Sequence, residues 1–502
     1  MRSHRGWSPW LGAVALYFLL FVLAVLVNLH GLSGSYYYDD YLRVFSDPNS
    51  ALWQGFLHAN YFDKFYRPLE SMVLAFVQMH FGWNTLPLHL LSLSLHTYLA
   101  CLVSHVLRRW KVRPEVAIGV AAYVIVSQMS TAAVLGNDTQ SQITASLCSA
   151  GALWLLYRRM TEASDTGWRY AGSVACFFLA LISKETSIGL TLSVAFLSFV
   201  LMRADTTVRR VQRTIVTLVP YGIATLVYLG LRVHAGAALP QYGTQDYAFR
   251  FGANIVENIG ELGIQSLLPI SSIEFVRALR SHAFDYLAVF ALFTLGAFAI
   301  LARGLAYDQR RGRTLVLVGI LICSWCPVLF LTHLNEPYSY NGLPVIAVLW
   351  GLSFEQLLRR GSRMWRVLAL GAILPLFVGN ALGVDQKARA MTAQGKRADV
   401  LLKQVVHATT SLPRGANLVL VDPSEKTFKY TTFLLQGFRV LVCADSIIHF
   451  LSGRPDVSII HVQDSTVARL RTSPTTIFLT YEPRSLTLVP YPIPIRRELT
   501  GE

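Results

Sequence analysis

The chain has 502 residues, 53% hydrophobic and 15% charged, with a mean hydropathy of +0.44. A soluble chain carries about 25% charged residues, so a water-soluble enzyme is excluded, and the apolar content excludes disorder. The formal net charge is +15, from 44 Lys and Arg against 29 Asp and Glu. Such an excess signifies nucleic acid on a soluble protein and orientation on a membrane protein, so its placement decides.

Apolar runs of roughly 20 residues are long enough to cross a bilayer. Such runs, some shorter, are read at about 10–32, 86–107, 116–134, 141–157, 170–182, 188–202, 215–233, 286–302, 314–332, 343–358 and 367–384, eleven in all. The first exceeds the apolar core of about 7–15 residues of a cleaved signal and has no clear cleavage site, so it reads as an uncleaved anchor. Residues 170–202 are interrupted by Ser183-Lys184-Glu185-Thr186-Ser187 and flanked by Arg on both sides, which predicts a hairpin with a polar turn.

The charge map fixes an orientation. Loops 1–9, 108–115, 158–169, 203–214, 303–313 and 355–366 hold 21 basic and 6 acidic residues. The intervening loops hold 8 and 13, and the tail from 385 holds 15 and 10. Positive loops stay in the cytoplasm, so the N-terminus is expected inside and the tail outside, in a multi-pass inner (cytoplasmic) membrane protein of the cell envelope. No nucleic-acid partner is expected.

Two outer loops are large, 33–85 and 234–285. In the first, Met72, Phe76, Met79 and Phe81 predict an interfacial helix. In the second, Phe251, Ile255, Ile259, Leu262 and Leu267 predict another over 250–268. The division is thus a transmembrane domain, 1–384, and a small extracytoplasmic α/β domain, 385–502. In the tail a helix pattern runs to about 410, followed by β-branched runs at 417–422, 439–443, 457–461 and 475–480. Cys443 is the tail's lone cysteine, so no disulfide forms within the tail; Cys323 and Cys326 sit in an apolar run and read as packing.

The residues that could carry chemistry gather on the outer side. Asp39 and Asp40 follow the first crossing. They read either as a solvated loop start or as a general base, with a divalent metal ion as a further possibility for the pair. Arg67, between aromatics, is either a headgroup anchor or a phosphate fork. Lys184 at membrane depth requires an anion, Glu185 or a lipid phosphate. His333, Asn335, Glu336, Tyr338, Tyr340 and Asn341 form a polar loop, and Asn137, Asp138 and Gln140 lie in the short loop after the third crossing. His89, His96 and His105 read as packed or interfacial rather than metal ligands.

Tyr38-Asp39-Asp40 after the first crossing, Tyr66-Arg67-Pro68-Leu69, the run from His89 to His96, and Ser183-Lys184-Glu185 occur in this order within 10–345. The set resembles the GT-C superfamily of polytopic membrane glycosyltransferases. Among its branches it is most similar to the transmembrane O-mannosyltransferases, in the manner of a bacterial relative. Two departures stand out. Glu336-Pro337-Tyr338 replaces that branch's acid-Arg-Tyr, and the tail lacks 34-residue repeats.

The resemblance implies a sugar transferred from a polyprenyl-phosphate carrier to an acceptor hydroxyl of a protein, glycan or lipid, with inversion. It implies Asp39 as base with Asp40 beside it, and Arg67 and Lys184 on the departing phosphate. Tyr38, Tyr66, Asp138, Glu185, His333, Glu336 and Tyr338 would be substrate contacts. A transporter or lipid flippase would instead want ionisable residues deep in several crossings or repeat symmetry. A polysaccharide ligase or polymerase outside the superfamily is nearer in chemistry.

Overall fold

A computed structural model describes residues 9–43, 48–59, 65–162, 167–202, 206–237, 249–267, 271–308, 311–332, 334–422, 435, 437–464, 467 and 475–492. Helices dominate. The first is α1 (Pro9–Val27), followed by α2 (Pro48–Leu57) and α3 (Pro68–Phe81) of the first outer loop. Then come α4 (Leu86–Arg109), α5 (Pro114–Val126), α6 (Thr131–Leu135), α7 (Gln140–Thr161), α8 (Gly167–Ser183), α9 (Gly189–Leu201) and α10 (Thr207–His234). The second outer loop contributes α11 (Ala253–Leu267) and α12 (Ser272–Arg280). The bundle closes with α13 (Phe284–Ala306), α14 (Arg311–Leu329), α15 (Leu343–Arg360) and α16 (Arg363–Thr410). Proline opens α3, α4, α5 and α15, where its missing N–H costs nothing because the first turn has no carbonyl to meet it.

Among the described residues seven helices are long and apolar enough to cross a membrane, or eight if the bent pair of α5 with Gln128–Leu135 is one span. The chain is therefore a multi-pass membrane protein. The other predicted crossings fall on helices that fail this test for identifiable reasons. Helices α8 and α9 have 17 and 13 residues. Helix α7 is polar at its start, where Gln140, Ser141, Gln142 and Ser146 are buried against protein.

The predicted third crossing, 116–134, is broken. The chain bends by 46° between α5 and Gln128–Leu135. Backbone groups freed at such a break must be met inside the protein. Gln128 N donates to Asn380 Oδ1 at 3.1 Å, and the Gln128 carbonyl accepts from Lys387 Nζ at 3.1 Å, both residues coming from α16.

Helices form at both of the expected places, and the buried face of α11 is largely polar, with Leu262 as its apolar member. Phe251 just before it, Val256 and Ile259 within it, are exposed, while Asn254, Asn258 and Ser266 are buried. Asn258 Nδ2 donates to the carbonyls of Leu329 and Leu331, each at 2.9 Å. The amides thus satisfy carbonyls at the end of α14 that the helix leaves without partners. The apolar side chains Val256 and Ile259 are left exposed.

Helix α16 is one 48-residue element, about 72 Å long at the standard rise. That is more than twice a hydrocarbon core of ~30 Å. The expected domain boundary at 384 falls inside it, and its second half buries Ala398, Leu401, Leu402 and Val405 against the tail.

The tail sheet comprises β1 (Asn417–Asp422), β2 (Ser458–Gln463), β3 (Thr476–Tyr481) and β4 (Leu488–Pro490), in the order β2-β1-β3-β4. β1 is parallel to β2 and β3, and β4 is antiparallel to β3. The run 439–443, expected as a strand, is instead a 3-10 turn, Gly437–Leu441, leading into α17 (Asp445–Ser452). Its apolar side chains, Phe438, Val440 and Leu441, are fully buried, and its first free N–H, that of Phe438, donates to Asp422 Oδ1 at 2.8 Å. Burial without a ladder explains why the β-branched composition misled.

Candidate active site

The aspartate pair sits on a 3-10 turn, Tyr38–Arg43. The segment leading to it is held from three sides. Thr85 Oγ1 donates to the Gly34 carbonyl at 2.5 Å, Thr392 Oγ1 to the His30 carbonyl at 2.7 Å, and His30 pairs with Asp385. Gly395 of α16 lets the helix lie on this segment, since a Cβ there would meet the Ser35 nitrogen at 2.7 Å. Tyr38 then takes a positive φ of 53°. That conformation is unfavourable for an aromatic residue and persists only where its surroundings impose it.

Asp40 is buried, and its Oδ2 accepts from Tyr37 N at 3.1 Å and Asn137 Nδ2 at 2.9 Å. Burial, with the Asp138 carboxylate next, still holds its carboxyl well above the usual carboxylate range. Asp39 is part-buried and faces the tail, and Cys443 Sγ donates to its Oδ1 at 3.6 Å. Burial and Asp39 push the Cys443 thiol up, so it stays a thiol and a donor.

The cations form a second group. Arg67 forks onto Glu185, Nε to Oε2 at 2.7 Å and Nη2 to Oε1 at 2.6 Å, and its Nη1 reaches Glu70 at 3.4 Å. Glu185 is thereby taken by Arg67. Lys184 is buried, 5% exposed, with no ion pair or side-chain hydrogen bond to its ammonium among the described residues. Its Nζ lies 6.0 Å from the centre of the Tyr338 ring. Asp138 joins the two groups, lying within electrostatic reach of Asp40, Cys443 and Lys184.

Other expected contacts are placed differently. Tyr66 is fully buried, its hydroxyl donating to the Phe56 carbonyl at 3.1 Å and its ring against Tyr228, so it packs behind Arg67 and has no face open to a substrate. Glu336 is buried and paired with Lys387 of α16, and Ser272 Oγ donates to it at 3.0 Å. Lys387, itself fully buried, thus brings to Glu336 the cation absent from Glu336-Pro337-Tyr338. His333 lies outside the described residues. His89 and His96 are buried and hydrogen-bonded, His96 to Tyr340 at 2.8 Å and the Val124 carbonyl at 3.1 Å.

Sequence reasoning missed Cys443 and Lys387. A lone tail cysteine and a helical lysine carry no local signal, since both act through contacts far apart in the chain. For a metal ion, no group of three His, Cys, Asp or Glu among the described residues is placed to hold one. Asp40 Oδ2 already accepts two hydrogen bonds. Among the described residues the Asp39–Asp40 pair is thus not joined by a third side chain that would complete a metal centre.

No family model and no curated protein matches the chain. Solved structures do. ArnT from Cupriavidus metallidurans bound to undecaprenyl phosphate is similar at a TM-score of 0.53 and 12% identity, covering 92% of either chain. The same protein in the apo state gives 0.55 and 12%, covering 94% of this chain and 93% of that one. An Archaeoglobus fulgidus oligosaccharyltransferase tethered with an acceptor peptide gives 0.52 and 14%, covering 89% of this chain and 64% of that one. The chain shares the fold of these proteins over 89–94% of its own length.

Proposed function

We propose that the protein is a GT-C glycosyltransferase that moves a sugar from a polyprenyl-phosphate carrier to an acceptor hydroxyl on the outer face of the membrane. The observation that carries this reading is Lys184, a buried ammonium with no bonded anion among the described residues, joined through Asp138 to the Asp39–Asp40 turn. A buried cation is stable only when paired, and a lipid-linked phosphate supplies that pair. The shared fold supports the reading, as neighbours of that fold are solved with undecaprenyl phosphate and with an acceptor peptide.

In the reaction so read, the Asp39 carboxylate takes the proton of the acceptor hydroxyl, whose oxygen bonds to the anomeric carbon. The bond from that carbon to the phosphate oxygen breaks, and its electron pair leaves with the carrier phosphate. Lys184 meets the developing charge, and Arg67 adds positive potential behind it. Attack opposite the leaving group inverts the anomeric centre. Tyr38, Asp138 and Tyr338 line the space between the two groups and contact sugar or acceptor. Eleven crossings, a cytoplasmic N-terminus and an outer tail complete the reading; Cys443 then makes the tail one wall beside the base.

Asp39→Asn should reduce transfer at least ~10³-fold while the purified protein keeps its melting temperature. Lys184→Met should weaken binding of the lipid-linked donor. Full activity in Asp39→Asn sinks the catalytic assignment.

A further inference from the structure

A cavity of about 520 Å³ lies between α4, α7, α9, α14 and α15, apart from the acids of the outer face. It is lined by Ser146 and Asn341 at one end and by Trp110, Thr161 and Arg313 at the other. Along α7 the two ends are about 22 Å apart. The walls between are apolar, Leu102, Leu153, Leu197 and Val316 among them.

The far end carries two donors with nothing to donate to. Trp110 Nε1 and Arg313 Nε are buried and have no hydrogen-bond partner among the described residues. The arrangement holds them in place. The Arg313 guanidinium lies 5.1 Å over the Trp110 ring, and its Nη2 donates to the buried Asp308 carboxylate at 3.2 and 3.3 Å. Trp110 in turn packs edge-on against Tyr157, which stacks on Trp154. Asp308 opposes an anion here, but Arg108, Arg109 and Lys111 are exposed around the same end and outnumber it.

We propose that this cavity is a binding site for an anionic glycerophospholipid. One acyl chain fills the apolar length, and the phosphate ester accepts from Arg313 Nε and Trp110 Nε1. Placing that lipid in the cytoplasmic leaflet rests on the orientation proposed above. Two facts favour it over the isoprenoid tail of a sugar donor. The unpartnered donors sit at the basic end of the bundle, whereas Lys184 is at the other. A basic pocket between helices facing the cytoplasmic leaflet is also the setting in which anionic headgroups bind. The chain tip would end at Asn341, whose Oδ1 accepts from Ser146 Oγ at 3.2 Å and from Gln142. Asn341 belongs to the turn Glu336–Gly342 that carries Tyr338, so the lipid would support one wall of the active site from below.

Native mass spectrometry of the delipidated full chain, with phosphatidylglycerol and phosphatidylcholine of identical acyl chains, tests this. The wild type should retain one phosphatidylglycerol, at least ~10-fold in preference to phosphatidylcholine. Arg313→Gln should erase the preference. Ala150→Phe, or Ala150→Leu if the larger change prevents folding, should fill the cavity and lower retention of both. Equal retention of the two lipids, or unchanged retention in the variants, overturns the site. So does displacement of phosphatidylglycerol by polyprenyl phosphate together with loss of polyprenyl phosphate binding in the cavity-filling variant. Asp39→Asn should keep the bound phosphatidylglycerol, which separates failure of this site from failure of the transfer reading.

Discussion

Asp40 accepts two hydrogen bonds and yet is held above the usual carboxylate range, because burial and Asp138 outweigh Tyr37 and Asn137. A raised pKa in the fold means that the protonated form is favoured there. Its stabilisation is full below the ordinary carboxylate pKa of about 4 and is lost as pH rises through the raised value. Asp40→Asn keeps the shape, so it should raise the melting temperature more at pH 8 than at pH 5. A smaller gain at pH 8 would show that the charge is compensated. Lys387 presents the opposite case, a buried cation already paired with Glu336. Lys387→Met leaves Glu336 and the Gln128 carbonyl short of a donor and should cost about 3–5 kcal/mol. Lys387→Met with Glu336→Leu should recover most of that loss in thermal denaturation. Asp39, Asp40, Arg67 and Lys184 were legible as candidates because charge beside or within a membrane is costly. Which carboxylate each cation meets was not, since Arg67 and Glu185 are 118 positions apart.

Among the elements, helices announced themselves by hydropathy. The break at Gln128 did not, because α5 and α6 are both apolar and the bend is met partly by Asn380 and Lys387 of the remote α16. The tail strands at 417–422, 458–463 and 476–481 were readable from β-branched runs, while Gly437–Leu441 was not, since its buried side chains imitate a strand. Helix α16 ties these parts together. Its Gly395 lies against Ser35, four residues before Asp39. Gly395→Val should push the segment off the helix, cost about 1–3 kcal/mol by overpacking, and lower transfer by more than it lowers the amount of folded protein. Transfer falling only in step with folded protein would detach α16 from the site.

At the scale of the molecule, the basic excess belongs to one end of the bundle and the candidate chemistry to the other. The proposed topology predicts that a cysteine placed at Arg454, in the tail, reacts with a membrane-impermeant maleimide in intact cells, in a background with Cys443 replaced. Labelling only after lysis would invert the orientation. The tail reaches the aspartate turn, since Cys443 meets Asp39 across 404 positions of chain.

The sequence by itself determined that this is a multi-pass membrane protein with a small α/β tail, and which few charges beside the crossings are worth explaining. Hydropathy and charge asymmetry are summed along short segments, so one dimension suffices to read them. Only the tertiary structure decided that Glu185 and Glu336 are occupied by Arg67 and Lys387, that Lys184 is buried with no bonded anion among the described residues, and that Cys443 faces Asp39. Pairing of charges is a matter of distance in space, and here every deciding pair is brought together by packing between elements remote in the chain.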